Sequence, residues 1–375
     1  MPEKNTAEKK PVIILTGYLG SGKTTVMKEL LRNQAGKKIA IIINDMGSVN
    51  IDATLLRSDS ATTYTNDMIE LQNGCICCTL RDQFMKEIEK LSAVPDIEVI
   101  LVEASGVSDP SNIAQSFLMY QEMNPQSPVY LSMVVTVADA DRIYAEFLDD
   151  WEERTEGESE DEDPDIINLI MDQIEFCNLI LLNKCDVLSR DKLDRVKQAL
   201  YELQAEAEIV ETIQGKVDPA CIMNYQPFDY DRVKNSSLVS RALVGKAETD
   251  GQHSEYGITS FVFEDHHPLD RDRFTAFMEN NYPDTMIRAK GYIWFSDDDI
   301  HVQLFEQAGR NASITEVSNW VASLPEEDQK EVFENYPEAL NDWDETYGDR
   351  LNQVVFIGRG YDKSETIRKL QDCLA

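Results

Sequence analysis

The sequence predicts an α/β fold, a mostly parallel sheet flanked by helices, followed by a smaller α+β domain. Continuous apolar runs at 11–16, 38–43, 98–102, 131–138 and 179–182 carry the signature of strands buried on both faces. Helical patterns separate them at 23–34, 80–91, 166–176 and 191–204, and such alternation builds βαβ units. Beyond residue 256 the pattern changes, with strands expected at 257–263, 285–295 and 353–357 and helices at 270–279 and 364–373.

A chain of 375 residues is long for one core, so two domains are expected. Residues 1–10 read as a flexible N-terminus, 11–228 as the first domain, 229–255 as a polar linker and 256–375 as the second domain. Residues 149–165 carry eleven acids and a single arginine. Such a segment buries too little apolar area to offset its ordering entropy, so a mobile surface insertion is expected. Residues 325–347 read as an acidic, helical excursion, and no internal repeat is present.

Thirty-five basic against 69 acidic side chains give a formal net charge of −34. That excess repels phosphate backbones and argues against nucleic acid as a partner. No apolar run approaches the roughly 20 residues needed to span a bilayer. The polar start lacks the apolar stretch of a signal peptide, so a cytoplasmic protein without a membrane partner is expected. Of the seven cysteines, Cys75, Cys77 and Cys78 cluster, while Cys177, Cys185, Cys221 and Cys373 are scattered. The scattered four sit among apolar residues and are expected to act as small core hydrophobes. In a reducing compartment, clustered thiols point to metal or redox chemistry rather than disulfides.

The run Gly17-Tyr18-Leu19-Gly20-Ser21-Gly22-Lys23-Thr24 matches G-x-x-x-x-G-K-[ST] between an apolar strand and a helix. Glycines let such a loop wrap with its N–H groups turned inward at a β-phosphate. The following helix presents its positive end to the same anion. Lys23 is expected to neutralise β- and γ-phosphate charge and Thr24 to ligate Mg²⁺, with Ser21 and Thr25 completing the nucleotide contacts. The strand at 98–102 ends in Glu103, followed three residues later by Gly106. Glu103 is placed to organise Mg²⁺ or its water and the Gly106 N–H to sense a γ-phosphate; an ordinary cap is the alternative for Glu103. The strand at 179–182 ends in Asn183-Lys184-Cys185-Asp186. A carboxylate such as Asp186 accepts from guanine N1–H and the 2-amino group, a donor pair that adenine lacks, so GTP is the expected nucleotide.

Between these motifs lies Asn73-Gly74-Cys75-Ile76-Cys77-Cys78-Thr79. Three thiols within four residues suit a soft or borderline ion such as zinc or cuprous copper. A helix N-terminus at Cys78 would favour the thiolate, and a ligand set of three leaves a fourth position open, which suits transfer. Redox chemistry or a structural site are the alternatives.

The combination GYLGSGKTT, NGCICCTLR, EASGVSDP and NKCD resembles the CobW-type family of P-loop metallochaperone GTPases, relatives of the GTPases that insert nickel into urease and hydrogenase. EYGITSFVF at 255–263, RAKGYIW at 288–294 and VVFIGRG at 354–360 are similar to that family's C-terminal domain, so the resemblance runs from 11 to 374. It looks most like a bacterial branch induced under zinc limitation, on Asn44-Asp45-Met46, Val49-Asn50-Ile51-Asp52, the run 172–177, and Trp343 with 347–351. The resemblance implies a GTP-hydrolysing chaperone that delivers zinc to a client metalloprotein, with cobalt or nickel insertion as an alternative. A GTP-gated sensor acting by protein binding is the rival from another class, and a homo-oligomer is an open expectation. Many members carry N-E-F-G-E where this chain has Asn44-Asp45-Met46-Gly47-Ser48. Asp45 can replace one of those carboxylates at the metal, and Ser48 cannot replace the other. A histidine-rich tract is also missing, since the chain has only four histidines.

The stretch 44–52 follows the second strand, where P-loop GTPases place a phosphate-sensing switch, and Asp52 is expected to reach Mg²⁺ directly or through water. GTP would then order 44–52 and the thiols together. Neither an arginine finger nor a glutamine for the attacking water stands out, so slow intrinsic turnover is expected. His266 and His267 before Pro268 are expected to cap or face solvent.

Overall fold

The computed structural model describes residues 9–32, 38–43, 68–70, 81–148, 164–223, 226–243, 258–309, 311–340 and 343–375. The chain divides into two compact units, Met1–Ala145 with Leu169–Ser237, and Glu146–Asn168 with Leu238–Ala375.

The first unit is built on seven strands: β1 (Lys10–Thr16), β2 (Lys38–Ile43), β3 (Met68–Glu70), β4 (Ile97–Glu103), β5 (Val129–Asp139), β6 (Leu179–Asn183) and β7 (Glu208–Glu211). Their order is β3-β2-β4-β1-β5-β6-β7, and every pairing is parallel. The α/β expectation is borne out. After β1 the chain builds the sheet on one side through β2, β3 and β4, then crosses to the other side for β5, β6 and β7. Beyond the carboxyl ends of β1 and its neighbours this leaves the crevice where open α/β sheets bind ligands.

The helices of this region are α1 (Lys23–Arg32), α2 (Arg81–Ser92), α3 (Pro110–Met123), α4 (Ala140–Ile143), α5 (Pro164–Glu175), α6 (Arg190–Leu203) and α7 (Tyr230–Ser236). The apolar stripe of α1, with Val26, Met27 and Leu30, packs on Ile13, Leu15 and Val135 of the sheet. That burial fixes the start of α1 directly above the end of β1. Helix α3 lies in a stretch where no helix is expected from the sequence. Asp109 starts it, accepting from Ser111 N at 2.8 Å, with Pro110 at the first helical position, where its missing N–H costs nothing.

The second unit holds an antiparallel sheet of order β11-β10-β9-β12-β8, from β8 (Ile258–Asp265), β9 (Met286–Ile293), β10 (His301–Ala308), β11 (Asn311–Asn319) and β12 (Asn352–Arg359). With it go α8 (Leu238–Leu243), α9 (Arg271–Asn280), α10 (Glu326–Asn335) and α11 (Lys363–Gln371). Its core is aromatic: Phe261 and Phe356 stack at 4.9 Å between centroids, and Phe274 meets Phe305 edge-on at 5.5 Å. Arg288 is fully buried and donates from Nη1 to Asn168 Oδ1 at 2.7 Å.

The structure adds elements that the sequence did not predict. The stretch 229–255, read as linker, contains α7 and α8 in its described part, because Asp229 accepts from Arg232 N at 2.9 Å and caps the first turn. The hairpin β10–β11 was not expected: β11 is a polar edge strand exposed at most positions, so it carries no apolar run to reveal it. Strands β3 and β7, of three and four residues, are too short for a periodic signal. The acidic insertion at 149–165 lies outside the described residues except for its last two, which open α5.

Candidate nucleotide-binding site

At the end of β1 the chain enters a loop whose Gly17, Gly20 and Gly22 have φ of +139°, +79° and +106°, values that L side chains rarely adopt. Two of them are also pressed against neighbouring strands. A Cβ on Gly17 would lie 2.3 Å from the carbonyl oxygen of Val137, and one on Gly22 would lie 2.3 Å from Asn183 Nδ2. Lys23, nearly buried, folds back over the loop and donates from Nζ to Gly17 O at 2.8 Å and Tyr18 O at 3.4 Å. Its charge thus sits at the positive end of α1, where an anion is favoured.

Asn183 is an internal brace. Its Nδ2 donates to Ser21 O at 3.0 Å, and its Oδ1 accepts from Thr212 Oγ1 at 3.1 Å and Gly215 N at 3.0 Å. The loop 212–215 is thereby held against the start of α1, where a Cβ on Gly215 would come 2.7 Å from Val26 N. Lys184 has φ +60° and donates from Nζ to Asp139 Oδ2 at 2.5 Å. Asp139 is the register partner of Asn183 at the end of β5 and also accepts from Asp141 N at 3.1 Å. Asp186 is exposed at the rim, open to a base. Cys185 is buried, and burial raises its thiol pKa, so it behaves as a core residue between Lys184 and Asp186.

Glu103 ends β4 beside Leu15, its register partner, and is 3% exposed. After it the chain makes a tight turn, with Ala104 N donating to Leu15 O at 2.8 Å and Ser108 N to Ser105 O at 3.0 Å. Gly106 is pressed against the phosphate loop, where a Cβ would meet Leu19 Cδ2 at 2.9 Å. The structure therefore gathers the loop 17–24, Glu103, Gly106 and residues 183–186 around the carboxyl ends of β1, β4 and β6. A small open pocket adjoins the loop, lined among others by Tyr18, Ser21, Asp139, Arg142 and Gln173. The Arg142 guanidinium stands over the Tyr18 ring at 4.4 Å from its centroid.

Asp45, Asp52, Cys75, Cys77 and Cys78 lie outside the described residues. Among the described residues no group of three or more His, Cys, Asp or Glu is arranged to hold a metal. Of the scattered cysteines, Cys177, Cys185 and Cys373 are buried and Cys221 is half-buried. Sequence reasoning missed Asp139, the loop 212–215 and Gln173. A carboxylate ending a buried strand singled out Glu103, and the same signal marked Asp139; the other two carry none.

A sequence model described as CobW/HypB/UreG, nucleotide-binding domain, matches residues 11–211. The chain belongs to the CobW/HypB/UreG family. It is a P-loop GTPase of that family. Residues 258–374 match the cobalamin synthesis protein cobW C-terminal domain. Zinc-regulated GTPase metalloprotein activator 1 of Dictyostelium discoideum is 29% identical over 389 residues, covering 98% of this chain and 80% of that protein. Zinc chaperone CobW of Pseudomonas aeruginosa is 33% identical over 230 residues, 58% of this chain and 60% of its own. Zinc chaperone YjiA of Escherichia coli is 26% identical over 357 residues, 92% of this chain and 93% of its own. Among the described residues of this family member, no helix is long and apolar enough to cross a membrane.

Proposed function

We propose that this chain is a cytoplasmic, GTP-driven zinc metallochaperone whose cargo is held by Cys75, Cys77 and Cys78, with Asp45 as a further ligand, and handed to a client metalloprotein. The observation that carries the nucleotide half is the Asn183 brace, which ties the phosphate loop to the strand bearing the base-reading tetrapeptide. The zinc half is supported by the names of the relatives and by the thiol motif, which sits in sequence between β2 and β4.

In this reading Gly17, Gly20, Ser21, Gly22 and Thr25 cradle the phosphates, and Lys23 turns from the Gly17 carbonyl to the anion. Asp186 reads the guanine edge, with Lys184 beside it. The acid present fits Mg²⁺: Glu103 is a buried carboxylate at the strand end next to the loop. Thr24, Glu103 and Asp52 would hold the ion, which supplies charge neutralisation between the β- and γ-phosphates. Gly106 offers its N–H to the γ-phosphate. Loss of that phosphate loosens 44–52 and the thiols, and the cargo is released. Residues 256–375 carry the client surface. Cobalt or nickel as cargo, or a GTP-gated sensor acting by protein binding, remain the alternative readings.

The test is zinc and cobalt affinity by competition with a chelating dye, in Mg²⁺ with GTP, GDP or no nucleotide, for wild type and Cys77→Ser. Tight zinc binding that needs GTP and is lost in Cys77→Ser supports the reading. Binding indifferent to nucleotide and to Cys77 sinks it and leaves a GTPase whose cargo is another protein.

A further inference from the structure

We propose that Gln173 is a positioning residue for GTP recognition and hydrolysis, holding the turn that carries Gly106 in its γ-phosphate-reading conformation. Gln173 lies in α5 and is 1% exposed. Its Nε2 donates to two carbonyls of that turn, Gly106 O and Ser108 O, each at 3.2 Å. Both partners are acceptors, which fixes the amide orientation.

The rest of the turn is tied as well. Val107 N donates to Ser105 Oγ at 3.4 Å and Ser108 N to Ser105 O at 3.0 Å. No hydrogen bond from the Gly106 N–H is found among the described residues, and Gly106 itself packs so closely on the phosphate loop that a Cβ would lie 2.9 Å from Leu19 Cδ2. With the carbonyls of Ser105, Gly106 and Ser108 and the N–H groups of Val107 and Ser108 committed, the Gly106 N–H is left as a donor for the γ-phosphate in this reading. The clamp is itself anchored, since the Gln173 carbonyl accepts from Thr136 Oγ1 of β5 at 2.6 Å.

A carboxamide suits this task. One nitrogen donates twice without bringing a charge into a dry site, whereas a lysine or arginine would add a desolvation cost. Without the clamp one buried and one part-buried carbonyl lose their donor, and the turn is free to leave its position. GDP is held by the loop 17–24 and residues 183–186, so its binding does not depend on Gln173. GTP alone reports on the turn. The inference rests on the reading of Gly106 as the γ-phosphate donor.

The experiment uses the full chain as wild type, Gln173→Met, Gln173→Glu and Gly106→Ala, with a fluorescent GDP, a fluorescent non-hydrolysable GTP analogue and GTP turnover from pH 6 to pH 8.5. In Gln173→Met, GDP affinity stays within about twofold, while GTP-analogue affinity and kcat each fall about tenfold, as expected for lost buried hydrogen bonds. In Gln173→Glu the ionised carboxylate faces two carbonyls and cannot donate, so turnover is lower still at neutral pH. It recovers relative to wild type as acid protonates the group, whose pKa burial raises. Equal losses for GDP and the GTP analogue, or no loss for either, overturn the assignment, as does a Gln173→Glu variant without recovery in acid. If the Met variant fails to fold, the pH profile of the Glu variant decides alone. Gly106→Ala separates the two levels: if it keeps full preference for the GTP analogue, the γ-phosphate reading itself is wrong. If it loses that preference while Gln173→Met keeps it, only the role of Gln173 falls.

Discussion

The side-chain nitrogen of Asn183 lies 3.0 Å from the carbonyl oxygen of Ser21, joining β6 to the phosphate loop across 162 residues of sequence. The same amide receives Thr212 and Gly215 on its other side. Asn183→Ala strands the Ser21 carbonyl and the Gly215 N–H in a buried place, while Thr212 Oγ1 keeps Leu182 O at 3.4 Å, at a cost of about 1–3 kcal/mol. GDP affinity is expected to fall at least about tenfold, and hydrogen exchange at the Gly215 amide to quicken. Unchanged protection at Gly215 would show that the brace is not needed.

Asp139 should matter for guanine nucleotides although no motif includes it. Its ion pair holds the Lys184 ammonium, and the two side chains are 14% and 42% exposed. At such exposure the pair contributes only about 1 kcal/mol. Asp139→Asn keeps a cap acceptor for α4 and should weaken GTP and GDP alike by about threefold to tenfold, an effect that shrinks in high salt. A loss confined to GTP would contradict the placement of Lys184 at the base.

The three loop glycines are not equivalent. Nothing lies within 4 Å of a Cβ on Gly20, whereas Gly17 and Gly22 would each meet an atom at 2.3 Å. Gly20→Ala bears only the left-handed backbone strain, about 1–2 kcal/mol. Gly17→Ala must in addition push a backbone carbonyl of β5, so it should abolish nucleotide binding and lower the melting temperature more than Gly20→Ala. Matching melting curves for the two variants would refute this ranking.

In the second unit, Asn168→Ala removes one acceptor of the buried Arg288 guanidinium, which also reaches Glu306 Oε1 at 3.5 Å. The expected destabilisation is about 1–3 kcal/mol, and Asn168→Asp, which supplies a charged acceptor, should be milder. Trp294 and Trp320, both buried in this unit, give the fluorescence signal for denaturant titration. Ala and Asp variants of equal stability would exclude the interaction as a support.

Burial pushes the Cys177 thiol from 9.0 to about 12 and that of Cys373 to about 11. The folded state therefore favours the neutral thiols. It holds more protons than the unfolded chain above pH 9, so the stabilisation is complete below that pH and drains away as pH rises toward 11 and 12. Alkaline unfolding should begin above about pH 9 and be shallower in Cys177→Ala. At pH 8, iodoacetamide should leave Cys177 and Cys373 unmodified, so rapid labelling reports on other cysteines; peptide mass spectrometry reads this directly.

The buried strands and the loop 17–24 were legible because continuous apolar runs and a fixed glycine spacing are local signals. Glu103 and Gly106 were legible for the same reason, as a strand end followed by a tight turn. The hairpin β10–β11 was not, because an exposed edge strand such as β11 needs no apolar face. Helix α3 escaped although its start is written as Asp109-Pro110, a cap and a first-turn proline. Within the tetrapeptide, the side chain of Asn183 is spent on Ser21, Thr212 and Gly215, partners that only proximity of β6, β7 and the loop supplies.

The sequence by itself determined the α/β class, the phosphate loop and the family, since each depends on residues close together in the chain. Tertiary structure alone decided that Asp139 would hold Lys184, that Gly215 would close on Asn183, and that Gln173 would grip the turn of Gly106. The reason is physical. Backbone propensity and hydrogen bonding within a loop act over a few residues, whereas strand order follows from burying both faces of a parallel sheet. That order brings side chains within 3.2 Å of backbone carbonyls from distant segments at the carboxyl ends of the strands.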